Sequence, residues 1–334
     1  MFRNGTTIEQ FNVRIDLNYG GLGDLLARLP AIRYAYNQWP HLNMYVFCYD
    51  YSYKLLEACL KPFNDRVYLM PFSAQKRWLE RSWCARMAAL DFTPTMITGV
   101  RMHLTEQGFI TICDKTPHNT KEWNYLQPDL TNIDVSEYNI PESYGVLCTE
   151  RTAPVREWPA QEVNKVARWM LQNKITPVFL GKSSNELGAD KGQVETQSEV
   201  KPLEGVLDLR DQTSLLEATK ILANAKFVAG VDNGLLHLAS LSDVPTIWGF
   251  TTVEPEQRLP YRHGSQRYRA LTVEPDKTLD CRYCQSNQHF VMVEGRPWNY
   301  KNCMYGDQLC TTQMTAGKFI RQIKHVINFK GYEV

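Results

Sequence analysis

The sequence predicts an α/β protein built of two doubly wound domains that face each other across a cleft. Three observations lead there. Short apolar runs rich in β-formers alternate with stretches of helical length through both halves of the chain. A polar, glycine-containing turn follows an apolar run in each half, Gly20-Gly-Leu-Gly-Asp24 in the first and Asp232-Asn-Gly234 in the second. A polar, Pro-containing stretch at 131–142 separates the two series and reads as a linker.

In the first half, Phe11-Asn-Val-Arg-Ile-Asp-Leu-Asn-Tyr19 alternates apolar and polar residues and reads as a strand. The glycine turn follows, then a helix over about 25–37 closed by Trp39-Pro40. Glycines such as Gly23 let the backbone turn sharply and approach a ligand. The spacing is not that of a dinucleotide fingerprint, and an acid stands at the helix start. Asp24 is therefore either an N-cap or an acid held beside the cleft. Strands at 44–48 and 66–70 flank a helix at 53–60. Residues 76–101 carry Lys76, Arg77, Arg81, Arg86 and Arg101 interleaved with Trp78 and Trp83. They form either a grip on an anionic acceptor or a solvated helix face with Trp anchors in the core. Residues 118–126 read as a helix leading to the linker.

The second series opens with a strand at 145–148. A loop containing Thr152 and Arg156-Glu-Trp-Pro159 precedes a helix over 160–173, with Pro159 at its first turn. A strand at 176–180 ends in Gly181-Lys182-Ser-Ser-Asn-Glu186, and a short strand follows at 205–209. Ser214-Leu-Leu-Glu217 matches a capping box for a helix to Ala225. The strand 227–231, the Asp232-Asn-Gly234 turn, a helix ended by Pro245 and a strand at 246–250 complete a β-turn-α-β unit. In an open parallel sheet, ligands bind at such a turn, where a helix start offers unpaired N–H groups to a phosphate. The alternative is an ordinary repeat in which Asp232 caps a helix.

Past Pro255 the chain reads as loop. Cys281-Arg-Tyr-Cys284 with Cys303 and Cys310 is either a structural tetrahedral zinc site or a set of free thiols. Four cysteines would leave no open catalytic position on such a metal. Residues 315–329 form a last amphipathic helix. Composition sets the class: 334 residues, 43% hydrophobic, 22% charged and a net charge of +1 suit a globular protein of two domains. The near-zero charge gives no field toward nucleic acid or lipid. The first residues lack a signal-peptide core and no apolar run is long enough to span a bilayer. With scattered cysteines, this predicts a cytoplasmic protein.

Several pieces coincide in order and spacing: Gly21-Leu-Gly-Asp24 with Leu29-Pro-Ala31, Arg156-Glu-Trp-Pro159, Ala223 to Ala239 with its Asp232-Asn-Gly-Leu-Leu-His237, and Pro245-Thr-Ile-Trp-Gly-Phe-Thr-Thr252 with Pro255. In these the chain resembles glycosyltransferase family nine, the ADP-heptose:lipopolysaccharide heptosyltransferases and their relatives. The resemblance implies a GT-B fold of two facing Rossmann-like domains, an acceptor domain over 1–142 and a nucleotide-sugar domain over 143–314 with a cysteine loop at 281–310. It also implies that the helix at 315–329 crosses back to the first domain.

The implied chemistry is metal-independent inverting transfer from a nucleotide-diphosphate sugar, with Asp24 as general base. Thr152, Arg156, Asp232, Asn233, Gly234 and His237 fall at donor positions, with Arg in place of a family lysine and Asn-Gly in place of Thr-Gly. Glu186 falls near a ribose-binding acid and Thr213 near a residue that meets the base. Gly23 and, from its charge and position, Lys182 join the donor set. The acceptor region carries no family signature, and the gap from Cys284 to Cys303 is longer than the family's. A surface glycan or lipopolysaccharide-type saccharide is the first acceptor expected. The aromatic content also suits a phage-encoded relative that would glycosylate a hydroxymethylated DNA base in its host's cytoplasm, with the Arg/Trp segment on the DNA. A reading of another class is a non-catalytic nucleotide-sugar-binding or zinc-stabilised interaction protein.

Overall fold

The computed structural model describes residues 11–17, 21–74, 88–90, 102–150, 153–183, 198–286, 292–293, 296–297, 303 and 305–328. The first half builds β1 (Phe11–Leu17), α1 (Leu22–Gln38), β2 (Leu42–Cys48), α2 (Tyr53–Leu60), β3 (Val67–Pro71), β4 (Ala88–Leu90) and α3 (Leu104–Cys113). Its strands form a parallel sheet in the order β3-β2-β1-β4, with Ile15 paired to Val46 and to Leu90.

The second half builds β5 (Tyr144–Cys148), α4 (Ala160–Gln172), β6 (Thr176–Leu180), β7 (Leu207–Asp208), α5 (Leu215–Asn224), β8 (Val228–Val231), α6 (Gly234–Ala239), β9 (Thr246–Gly249), α7 (Pro255–Arg258) and β10 (Ala270–Val273). These strands form a six-stranded parallel sheet, β10-β9-β8-β5-β6-β7. The central strands β5 and β8 are buried at every residue. That explains why both read as unbroken apolar runs and not as alternation.

Helix α1 joins the halves. Leu25, Leu26, Leu29, Ala31 and Ile32 are fully buried although they point around the whole helix. An amphipathic helix has one wet face, but α1 packs on α3 on one side and on α6 of the second half on the other. The burial of Arg28 on this helix follows from the same sandwiching. Most expected elements lie within two or three residues of those found. Several were not expected: β4, inside the segment read as a basic helix face; α3, whose Gly, Thr and Ile content hides a helix; and β10 with the short helices at Pro255–Arg258 and Leu309–Thr312, inside what reads as loop. Residues 118–126 form only a 3₁₀ turn at Thr120–Trp123, because Asn119 caps it and Asn124 returns the backbone to an extended state.

The last helices are α8 (Leu309–Thr312) and α9 (Ala316–Asn328). The expected return of 315–329 to the first domain is corrected here: α9 packs on α4, β9 and β10. Phe319 stacks on Trp158 with centroids 4.0 Å apart, Ile323 is fully buried beside them, and the Ala316 N–H donates to Glu162 at 2.7 Å. The apolar face of α9 thus fills the underside of the second sheet. Among the described residues, no helix is long and apolar enough to cross a membrane.

Candidate active site

In a doubly wound sheet, successive connections leave in opposite directions at one point, and the strand ends there open a crevice. In the first sheet β1 lies between β2 and β4, and Gly21 with the first helical turn of α1, which holds Gly23 and Asp24, comes after it. In the second, β5 lies between β6 and β8; Glu150 follows β5, and Asp232-Asn-Gly234 follows β8. Both crevices open into one cavity of about 390 Å³. Gly23, Asp24 and Tyr51 line it from the first half. Glu150, Arg156, Lys182, Thr213, Asp232, Asn233, Gly234, His237 and Arg258 line it from the second.

Asp24 is not the N-cap that one sequence reading made it: Gly21 holds that place, and Asp24, the third residue of α1, turns one carboxylate oxygen back to accept the Gly21 N–H at 2.8 Å, which still caps the helix start. The other faces the cavity, 3.7 Å from Arg258 Nη1. The cap fixes the rotamer that presents the free oxygen to the cleft.

On the facing wall, Asp232 is nearly inaccessible, with Arg156 Nη1 3.6 Å from one oxygen and His237 Nε2 3.6 Å from the other. Burial pushes its pKa up, but the His237 ring and the Arg156 and Arg258 charges outweigh burial and hold it well below the usual carboxylate range. His237 Nδ1 lies 3.0 Å from the Tyr125 hydroxyl. With a carboxylate facing Nε2, the proton belongs on Nε2, so Nδ1 accepts the Tyr125 O–H. The ring is also held edge-on to Trp248, centroids 5.0 Å apart. Gly23 sits directly against it: a Cβ there would come within 2.9 Å of two ring atoms and nearer still to a third. The glycine of the first-half turn is thus required by a histidine of the second half.

Arg156 is carried by a 3₁₀ turn, Pro154–Arg156, pinned by the Thr251 hydroxyl donating to the Val155 carbonyl at 2.7 Å. Its Nη2 donates to Gln285 at 3.0 Å. Asn233 caps α6, accepting the Leu236 N–H at 3.1 Å and donating to the Glu150 carbonyl at 3.4 Å. Its amide oxygen is therefore already engaged. The Lys182 N–H donates to the Glu150 carboxylate at 2.9 Å, and its ammonium lies 3.5 Å from Asp211. Gly181, at φ +111°, allows this turn, since a Cβ would meet the same carboxylate oxygen at 2.6 Å. Burial pushes Glu150 up to about 7, against the opposing Lys182 N–H and charge.

Thr152, Glu186, Arg77, Arg81, Arg86 and Arg101 lie outside the described residues. In the cysteine loop, burial and then the neighbouring thiols raise Cys281, Cys284 (to about 11) and Cys310 (to about 12), so the set including Cys303 is gathered in one region. Among the described residues, however, no three His, Cys, Asp or Glu side chains stand where they would hold a metal ion. A shallower groove of about 530 Å³ along α9 is lined by Arg321, Lys324 and His325.

Sequence reasoning missed Glu150, Tyr125 and Arg258. Glu150 was within reach, as the residue that follows the strand beside the switch point. Tyr125 and Arg258 carry no local signal; they meet the site only through the packing of one half on the other.

The sequence model of glycosyltransferase family 9 (heptosyltransferase) matches residues 111–286, more than half of the chain. A search of curated proteins found no match. Among solved structures, the chain is similar to the iron-containing dodecameric glycosyltransferase TibC of enterotoxigenic E. coli H10407, at 16% identity and a TM-score of 0.70 over 97% of this chain and 78% of that one. It is similar to E. coli ADP-heptose lps heptosyltransferase II at 13% identity and a TM-score of 0.61, over 96% of this chain and all of that one. A family 9 glycosyl transferase from Veillonella parvula matches at 12% identity and a TM-score of 0.63, over 97% of this chain and 99% of that one. Two parallel α/β sheets meeting at one cleft are the GT-B arrangement of these neighbours, and with the family match over most of the second half and part of the first, the chain belongs to glycosyltransferase family 9.

Proposed function

We propose that this glycosyltransferase moves a sugar from a nucleotide-diphosphate sugar to a hydroxyl of a saccharide acceptor, with inversion. The observation that carries the reading is that Asp24 of one half and the Arg156–Asp232 pair of the other face a single cavity. In the step, the acceptor oxygen attacks the anomeric carbon, the bond from that carbon to the diphosphate oxygen breaks, and the acceptor proton passes to the free oxygen of Asp24. The leaving diphosphate takes the electron pair. In this reading Arg156 and the backbone N–H groups at Gly234 would meet that developing charge, so protein groups would supply the stabilisation. Asp232 would hold Arg156 and His237 in place rather than touch an anion itself.

The donor named in complexes of the relatives, ADP-heptose for TibC and its 2-deoxy-2-fluoro analogue for WaaC, is the first to test. A surface glycan of lipopolysaccharide type is the acceptor class we favour. The basic side chains on which a DNA acceptor would rest, Lys76, Arg77, Arg81, Arg86 and Arg101, lie outside the described residues. We place the reaction in the cytoplasm, in keeping with free cysteines at Cys48, Cys59, Cys113 and Cys148. The described geometry does not support a structural metal on Cys281, Cys284, Cys303 and Cys310, which stand as free thiols; elemental analysis of the purified protein, with C281S as control, tests the zinc reading of their spacing. For the transfer itself, Asp24→Asn should lower turnover by about 10²–10⁴-fold, the ordinary contribution of a positioned base. Turnover at the wild-type rate would remove Asp24 from the role.

A further inference from the structure

Arg258 has no part in the reading so far, yet it lines the same cavity as Asp24 and Asp232. It projects from α7, a four-residue helix, and reaches across to Asp24 of the other half at 3.7 Å. Its charge also acts on Asp232, helping to hold that carboxylate ionised. Two more cations line the same cavity, Arg156 beside Gln285 and Asp232, and Lys182 beside Asp211. The pair with Asp24 is longer than a good charge-assisted hydrogen bond, and its side chains are 23% and 28% exposed, so it is weak. It covers the one Asp24 oxygen that the cap leaves free, which is the oxygen a base would use.

We infer that Arg258 is a second diphosphate-binding residue, exchanged between partners during the reaction: it rests on Asp24 in the free enzyme and turns to the diphosphate when the donor enters. A guanidinium fork suits a phosphate better than one distant carboxylate oxygen. Donor binding would then uncover the base, so the acceptor hydroxyl meets a competent carboxylate only after the donor is in place. This inference rests on the donor reading above.

The test measures binding to the full-length protein by calorimetry. The probe is whichever of ADP, GDP, UDP and CDP binds wild type most tightly, together with the matching nucleoside monophosphate. Arg258→Gln should weaken the diphosphate about tenfold or more while shifting the monophosphate by less than about threefold, since a hydrogen-bonded charge pair is lost only with the outer phosphate. Asp24→Asn should tighten the diphosphate by about two- to fivefold, the worth of an exposed ion pair, and should do nothing in an Arg258→Gln background. Should Arg258→Gln fail to fold, Arg258→Lys, which keeps the charge without the fork, should show an intermediate loss on the diphosphate alone. Equal weakening of both nucleotides would mean that Arg258 only braces the two halves and would overturn the inference. So would an unchanged diphosphate affinity in Asp24→Asn. If wild type binds no nucleoside diphosphate, the donor reading itself fails, which is seen before any variant is made.

Discussion

Replacing Gly23 with Ala probes the contact on which the two halves of the site depend. The added methyl would lie within 2.9 Å of His237 Cγ and Nε2, where real Cβ atoms are not found. The ring has no direction in which to yield. Tyr125 holds Nδ1 at 3.0 Å, Asp232 faces Nε2, Trp248 lies across one edge, and the residue is 2% exposed. Inserting a methyl into such packing costs about 1–3 kcal/mol. If the halves separate instead of straining, part of that cost is replaced by lost contact between α1 and α6. Either way the free oxygen of Asp24 moves relative to Arg156, and transfer should fall more than stability does, because a small misplacement of reacting groups is expensive. Urea unfolding with activity measured on the same samples reads both effects. The double variant Gly23→Ala/His237→Ala makes room for the methyl, so its stability should lie above the sum of the single changes. A Gly23→Ala protein with wild-type stability and rate would refute the argument that this glycine is placed for His237.

Three further outcomes follow from the geometry. Arg156→Ala should weaken nucleoside diphosphate binding, measured by calorimetry, and should also destabilise the protein, because Asp232 loses a buried partner; an unchanged affinity would remove Arg156 from the donor site. Tyr125→Phe leaves His237 Nδ1 without its donor in a buried site and should cost about 1–3 kcal/mol in urea unfolding. The third concerns pH. Glu150 titrates near 7 in the folded chain against an ordinary 4.5, so the stability it contributes is full below about 4.5 and is lost as pH rises to about 7. His103 is pushed down by burial to about 4 from 6.5, so its contribution is full above 6.5 and is lost as pH falls to about 4. The two oppose each other between. Glu150→Gln should therefore make stability drop more steeply on acidification from pH 7 to 5, and His103→Asn less steeply, in unfolding curves taken across that range; parallel slopes in all three proteins would count against both assignments.

Local physics wrote much of this protein in a form that can be read directly. The run Thr176–Leu180 is a strand to the residue, and Ser214 with Glu217 makes the reciprocal cap that its spacing announces, at 2.7 and 3.3 Å. The Asp232-Asn-Gly234 segment lies at the end of β8, since a small, polar, sharply bending segment suits the exit from a buried parallel strand. Such signals survive because they involve neighbours three or four residues apart. The helix α3 was lost to the same logic, for its Thr, Ile and Gly suit another state and only packing reverses the preference; strand β10, at four residues, is too short for its β-formers to show a period. The final helix shows the limit differently: the periodicity of Phe319 and Ile323 declares an apolar face but not which surface covers it, and Trp158 decided that. The site divides along the same line. Asp24, Arg156 and Asp232 could be nominated from their turns. That Asp24 spends one oxygen on its own helix and shares the other with Arg258, and that His237 rests on Gly23 beneath a tyrosine 112 positions earlier in the chain, came only from folding one half against the other. Contacts between residues so far apart leave no periodic trace, because side-chain complementarity across an interface is set by shape and charge in space, not by spacing along the chain.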